Sequence, residues 1–238
     1  SDLKNVRTLI TYIKNMMLNE EELQKLEEES DIRIAGIYRE YCRQMREQKL
    51  MDYDDQMLYA YNILRKDPGV LAYFQNRYPY ICVDEAQDTS KIQHAIIALL
   101  AAGTGNLFMV GDEDQSIYGF RAAYPEALLS FEKKHSGAKV LLMEENFRSN
   151  AKIVEAADKF IQKNTLRHEK HMSAAREAGA DIREISLKSR KAQYVYLMKA
   201  AQECTTGMAG MSGSEEHRGR ADASVTETAV LYRDNECA

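Results

Sequence analysis

The sequence predicts an α/β protein, a parallel sheet flanked by helices with a helical N-terminal portion, and three observations carry that expectation. Apolar residues recur at helical spacing through the opening third of the chain, short apolar runs further on each stop at a cluster of polar residues, and helix-patterned segments separate those runs. In residues 3–50, Leu9, Ile10, Ile13, Met16 and Met17 share one face and Ile34, Ile37, Tyr38, Tyr41 and Met45 another, which predicts two helices. Between them the acidic run 20–31 keeps Leu23 and Leu26 at helical spacing, so it reads as a solvated helix rather than an interaction tail. Another amphipathic helix is expected over 52–64, and the Asp67-Pro68-Gly69 break restarts a shorter one through Tyr73 and Phe74.

The texture changes at Tyr80. Residues 80–83 read as a buried strand that ends in acids, and a helix is expected over 90–100. A second buried strand, 107–110, stops at Gly111, and a third, 139–143, runs into polar residues that feed a helix over 151–160. Strands that release polar residues in this way suggest one parallel sheet with a site along its carboxyl edge. Beyond Asn164 a weaker α/β unit is expected, with strands near 182–187 and 228–232, a helix over 192–203, and a mobile Gly/Ser/Ala-rich loop at 205–224.

Composition narrows the class. With 238 residues, 45% hydrophobic and 29% charged, the chain has material for one or two domains with a sizeable core. No apolar run of about 18 residues is present, so no membrane span is expected. Lys and Arg total 32 against 37 acids, a net charge of -5, so contact with nucleic acid is expected only at a local site. The cysteines at 42, 82, 204 and 237 form no CxxC pair and read as reduced thiols of a cytoplasmic protein. The opening residues lack an initiator Met and a basic-then-apolar leader, which suggests a stretch trimmed from a longer chain.

Asp84 and Glu85 follow directly on an apolar strand. Adjacent carboxylates there suit a divalent cation and a water-activating base, because Mg²⁺ takes oxygen ligands and keeps several waters. The same pair also suits a plain turn or a helix cap. After the next strand comes Gly111-Asp-Glu-Asp-Gln115, where Gly111 permits a tight exit and the Gln115 amide can donate to and accept from a phosphate or its attacking water. Tyr118 and Phe120 alternate with Arg121, an aromatic-plus-cation pattern on which single-stranded bases stack, although both rings also suit a core. In the third segment, Glu145 to Asn150, Arg148 offers a planar fork for phosphate oxygens or, alternatively, a surface salt bridge. His168 and His171 form HxxH without further ligands nearby and read as a solvated helix end, Met16, Met17, Met45, Met51 and Met57 as core filler, and Cys82 as an inert thiol within a buried strand.

Taken together, DEAQDTS, GDEDQSIYGFRAA and ENFRSN, in this order, closely resemble motifs II, III and IV of the UvrD/Rep/PcrA family of superfamily 1 DNA helicases. MDYDDQM at 51–57 resembles the family's DFDDL segment, YPYICVDEAQDTS the approach to motif II, and AVLYRDN at 229–235 the strand opening the second motor domain. The resemblance implies a RecA-like P-loop NTPase fold and an ATP-driven motor that moves 3′ to 5′ along single-stranded DNA, unwinds duplex junctions, and serves repair or replication. It implies that Asp84 holds Mg²⁺ through water, Glu85 polarises the hydrolytic water, and Gln87 and Gln115 link the γ-phosphate to domain movement. It further implies that Phe147 stacks on adenine, Arg148 contacts the γ-phosphate, and Tyr118, Phe120 and Arg121 lie against the DNA.

One departure bears on this reading: no GxxxxGK[ST] occurs in the chain, and AAGTGN at 101–106 has no following Lys and precedes a strand. The resemblance therefore implies an internal fragment, inactive alone, with part of subdomain 1B at 1–50, the back half of domain 1A at 51–165 and the beginning of domain 2A at 166–238. Two other readings stay open, the helicase subunit of a RecB/AddA-type helicase-nuclease and a non-catalytic DNA-binding or interaction module that keeps motor motifs.

Overall fold

The computed structural model describes residues 2–30, 32–117, 119, 122–209 and 229–231. Five helices open the chain: α1 (Asp2–Met16), α2 (Glu20–Glu29), α3 (Ile34–Glu47), α4 (Tyr53–Lys66) and α5 (Pro68–Arg77). The acidic run is thus a helix of its own. Asn19 starts it, accepting the Glu22 backbone N–H at 2.9 Å while the Glu22 carboxylate accepts the Asn19 N–H at 2.8 Å. Leu23 is its one buried residue, so α2 inserts a single apolar side chain and keeps its acids in water. Ile13, Leu23, Ile34 and Ala35 meet there as a core where α1, α2 and α3 converge.

Lys14 lies on the same helix as Ile13 yet is as deeply buried, with its side chain 1% exposed. A lone buried ammonium is costly, and this one is matched by Asp52 at 2.7 Å and Asp55 at 2.6 Å. The same two acids cap α4 reciprocally: Asp52 accepts the Asp55 N–H at 2.8 Å, and Asp55 accepts the Asp52 N–H at 3.1 Å. Tyr41 donates to Asp52 at 2.6 Å, and Thr11 and Asn15 donate to Asp54 at 2.9 and 2.8 Å. Every acid of the 52–55 segment is therefore spent on fastening α4 to α1 and α3.

The α/β part follows in the order β1 (Ile81–Val83), a 3₁₀ turn (Ala86–Asp88), α6 (Lys91–Ala101), β2 (Leu107–Met109) and a second 3₁₀ turn (Glu113–Gln115). Next come α7 (Glu126–Leu129), α8 (Phe131–Lys134), β3 (Glu145–Asn150), α9 (Ala151–Ile161), β4 (Ser173–Arg176) and α10 (Arg190–Ala209). β1 and β2 pair in parallel, Ile81 opposite Leu107 and Val83 opposite Met109, with α6 as their crossover. β3 and β4 pair in parallel across α9, with an irregularity between Asn146 and Asn150.

Several expectations need correction. The strands form two separate two-stranded sheets instead of one. β1 and β2 are covered on one face only, leaving Cys82 exposed and Phe108 62% exposed, so Cys82 is not shielded inside a buried strand. Residues 139–143 form no strand, and Leu141 and Met143 are exposed; the strand begins at Glu145. A strand is completed only by a neighbour on its ladder, and among the described residues none pairs with 139–143. His168 and His171 lie outside any helix, in the connection between α9 and β4.

By contacts the chain divides into two units, residues 1–179 and 180–238. In the second, 182–187 is irregular rather than a strand, and α10 spans the expected helix and continues through 205–209, the opening of the expected loop. Residues 210–224 of that loop lie outside the described residues, as do all of 228–232 except 229–231, which have no regular structure.

The Lys14 cluster sets a stability prediction. Replacing the ammonium in Lys14→Met leaves carboxylates facing a buried apolar stem, and should lower unfolding free energy by about 3 kcal/mol in urea titrations. Burial alone would lower the Lys14 pKa, but Asp52 and Asp55 outweigh it and raise the value; burial alone would raise that of Asp52, but Lys14 and Tyr41 hold it down. The cluster's contribution is then full between about pH 4 and about pH 10, lost on acidification as Asp52 protonates and on alkalinisation as Lys14 deprotonates. A variant as stable as the parent across that window would contradict this account.

Candidate functional site

β1 ends at Val83, and the chain turns at once. Asp84 accepts the backbone N–H of Glu85 on Oδ1 at 2.9 Å, and Glu85 adopts a left-handed conformation (φ 47°, ψ 43°) ahead of the Ala86–Asp88 turn. Both carboxylates are exposed, and the Glu85 side chain caps nothing. Gln87 folds back beneath them, 2% exposed, and donates through Nε2 to Glu85 Oε2 at 2.7 Å.

The other end of that amide reaches the next strand's exit. Gln87 Oε1 accepts the backbone N–H of Asp112 at 3.0 Å, and the Gln87 carbonyl accepts the Ser116 hydroxyl at 3.3 Å. Backbone bonds run alongside, from the Val110 N–H to Val83 at 2.8 Å and from the Ala86 N–H to Val110 at 3.0 Å. Gly111 is required here by closeness rather than by an unusual backbone angle. A Cβ on it would stand 2.7 Å from Gln87 Oε1, 2.9 Å from Leu128 Cδ1 and 3.1 Å from the Ala86 nitrogen. Asp112 then accepts from Gln115 Nε2 at 2.7 Å, which leaves Gln115 at the exposed rim of the same turn. The structure thus brings Glu85, Gln87 and Gln115 into one hydrogen-bonded group, with Asp84 beside it.

The acids at 112–114 are not left to repel one another. Lys170 lies 2.7 Å from Asp112 Oδ1, 3.3 Å from Glu113 and 3.4 Å from Asp114. Arg167 binds Asp114 in bidentate fashion at 2.8 and 2.7 Å, and His168 donates its backbone N–H to Glu113 at 2.9 Å. Burial alone would raise the carboxyls of Asp112 and Glu113; hydrogen bonds from Lys170 and Gln115 to the first, and from the His168 backbone to the second, hold both below the ordinary carboxylate range. The two histidines serve carboxylates separately, His168 near Glu113 and His171 near Asp158, each at 3.2 Å. This basic bracket is absent from the sequence reading; its signal was a three-acid run with no basic residue within the turn to balance it.

Phe147 and Arg148 occupy β3, successive residues whose side chains leave opposite faces of a strand. Phe147 is 65% exposed, and the Asn146 side chain accepts the backbone N–H groups of Arg148 and Ser149 at 2.9 and 2.8 Å. Among the described residues, Arg148 makes no ion pair, and no side-chain hydrogen bond joins it or Phe147 to the Glu85–Gln87 group. Tyr118, Phe120 and Arg121 lie outside the described residues. Among the described residues no cluster of three or more His, Cys, Asp or Glu side chains stands ready to hold a metal ion; the exposed pair Asp84 and Glu85 offers two carboxylates to which a hydrated hard cation could bind through its waters.

Residues 1–136 match the model of the UvrD/REP helicase N-terminal domain, and residues 141–238 that of the UvrD-like helicase C-terminal domain. The ATP-dependent DNA helicase PcrA of Staphylococcus epidermidis is 34% identical over 229 residues, covering 95% of this chain and 29% of that protein. The protein of the same name from Staphylococcus aureus is 41% identical over 149 residues, 63% of this chain and 20% of that one. The chain spans less than a third of the length of these curated relatives.

Because Gly111 has Gln87, Leu128 and the Ala86 backbone around it, Gly111→Ala should destabilise the protein by about 1 to 3 kcal/mol, as overpacking does. The readout is the denaturation midpoint, and an unchanged one would mean that Gln87 yields without cost.

Proposed function

We propose that this chain, which belongs to the UvrD/REP helicase family, is the stretch of an ATP-dependent 3′–5′ DNA helicase that carries its hydrolytic carboxylates and its single-strand contacts. Its work is to couple Mg²⁺-ATP hydrolysis to movement on single-stranded DNA and to opening duplex junctions, in repair or replication. The observation that carries the reading is the continuous hydrogen-bonded path Glu85–Gln87–Asp112, which joins two strand exits at one carboxyl edge. The proposed division assigns 1–50 to subdomain 1B, 51–165 to the back half of domain 1A and 166–238 to the beginning of 2A. A cytoplasmic location accords with this work, and no described helix is long and apolar enough to cross a membrane.

The proposed roles are those that the motif resemblance implies. Asp84 supplies an exposed carboxylate to Mg²⁺ through water, and Glu85 accepts the proton of the attacking water. Gln87 holds the Glu85 carboxylate by one oxygen, leaving the other for that proton. Gln115, on the rim of the adjoining turn, orients the attacking water or a phosphate oxygen, while Arg148 offers a guanidinium to the γ-phosphate and Phe147 an exposed ring to adenine. Bound Mg²⁺-ATP supplies the phosphoanhydride whose cleavage drives the motor. With no GxxxxGK[ST] in it, the 238-residue chain by itself is proposed not to turn over ATP. Tyr118, Phe120 and Arg121 form the proposed stacking surface for DNA, a local site that a chain of net charge -5 requires.

Two outcomes test this. In the full-length protein Glu85→Gln should reduce ATP turnover by roughly 10²- to 10⁴-fold with nucleotide affinity kept, whereas Asp84→Asn should weaken the Mg²⁺ dependence itself. Equal turnover and equal Mg²⁺ dependence in the two variants would reverse the assignment. Phe120→Ala should weaken single-strand binding by about 1 to 3 kcal/mol with little regard to base identity and little change in thermal midpoint. A fall in midpoint with unchanged affinity of the folded protein would instead place the ring in the core.

A further inference from the structure

The acids of the 112–114 turn and the bases that meet them are far apart in sequence, in stretches matched by different domain models: Asp112, Glu113 and Asp114 within 1–136, Arg167 and Lys170 within 141–238. Lys170 and Arg167 are themselves nearly buried, side chains 10% and 5% exposed, so these are not surface pairs of negligible effect. From Lys170 a single run of contacts reaches the proposed base. The ammonium holds Asp112 Oδ1 at 2.7 Å, the Asp112 N–H meets Gln87 Oε1 at 3.0 Å, and Gln87 Nε2 meets Glu85 Oε2 at 2.7 Å. A branch from the same carboxylate, Asp112 Oδ2, fixes Gln115 at 2.7 Å.

We propose that Lys170 and Arg167 are positioning residues for hydrolysis: from the connection between α9 and β4 they clamp the 112–115 turn, and through Asp112 and Gln87 they set the geometry of Glu85 and Gln115. The assignment rests on the helicase reading above. Without the two cations, three adjacent carboxylates in a half-buried turn repel one another, and the turn opens or its acids take up protons. Either response shifts the Asp112 N–H and with it the Gln87 amide, whose carbonyl oxygen then lacks its donor. The clamp has a further property: a movement that carries the α9–β4 connection away from the turn releases both Gln115 and Glu85 at once.

The test uses the full-length protein, with Lys170→Met, which keeps most of the stem without the charge, Lys170→Arg, which restores the charge, and the exchange Asp114→Arg with Arg167→Asp. Deuterium exchange over 110–116, thermal midpoint, and kcat and KM for DNA-stimulated ATP hydrolysis are read on each. Lys170→Met should lose protection in the turn while α1–α5 keep theirs, and should lower kcat by about 10- to 100-fold with KM for ATP within about twofold. Lys170→Arg should recover most of the rate, and the exchange pair should outperform either of its single substitutions. Wild-type turnover matched by Lys170→Met, or protection lost in every helix together with the turn, overturns the assignment. Absence of DNA-stimulated hydrolysis in the wild type overturns the helicase reading and this assignment with it.

Discussion

A single buried amide organises the edge at which β1 and β2 end. Gln87 has one donor pair and one carbonyl oxygen, and with them it joins a carboxylate on one strand exit to a backbone N–H on the next. Alongside it run two backbone bonds, Val110 N–H to Val83 and Ala86 N–H to Val110, and the Ser116 hydroxyl bond to the Gln87 carbonyl, while β1 and β2 themselves are only three residues long. The amide is buried, so each of its polar atoms needs a partner, and that need fixes the spacing of the two turns more tightly than short strands can. Gly111 follows from the same constraint, since the space a Cβ would take is already occupied by the amide oxygen.

The electrostatics are arranged in compartments. At the N-terminal end an interior ammonium is surrounded by acids that belong to the start of α4, and beyond the exit of β2 an acidic turn is surrounded by bases. In both places a helix or turn terminus is held by charges from a distant segment, and in both the ion pairs are sheltered enough for salt to screen them weakly. The overall charge of -5 is therefore a poor guide to local fields. At the exits of β1 and β2 the acids of 112–114 are each paired with a base, while among the described residues the carboxylates of Asp84 and Glu85 stand exposed without one.

Much of this was readable in the sequence where the deciding physics is local. α4 begins at an Asp that caps it, α9 begins at Asn150, whose side chain accepts the Ile153 N–H, and β1 and β2 end where apolar residues give way to polar ones. The 139–143 run shows the limit. Its residues suit a buried strand, but strand formation belongs to a pair of segments, and no apolar pattern within one segment reveals the partner. The same limit hid the clamp: Arg167 and Asp114 are 53 positions apart, and Lys170 and Asp112 are 58. A solvated-looking RHEK beside an HxxH pattern draws attention to the imidazoles, whereas the structure gives the larger role to the residues flanking them.

The left-handed backbone at Glu85 sets stability against chemistry at one codon. A residue with a Cβ gives up roughly 1 to 2 kcal/mol to sit there, and glycine would recover it. Laboratory selection for heat resistance alone would thus favour exchanging Glu85 for Gly, removing the carboxylate that the proposed reaction needs. Selection for turnover would hold the strained residue in place. Deep mutational libraries scored separately for folding and for ATP hydrolysis would rank this position in opposite orders, a signature by which a chemically retained residue is told apart from one that merely packs well.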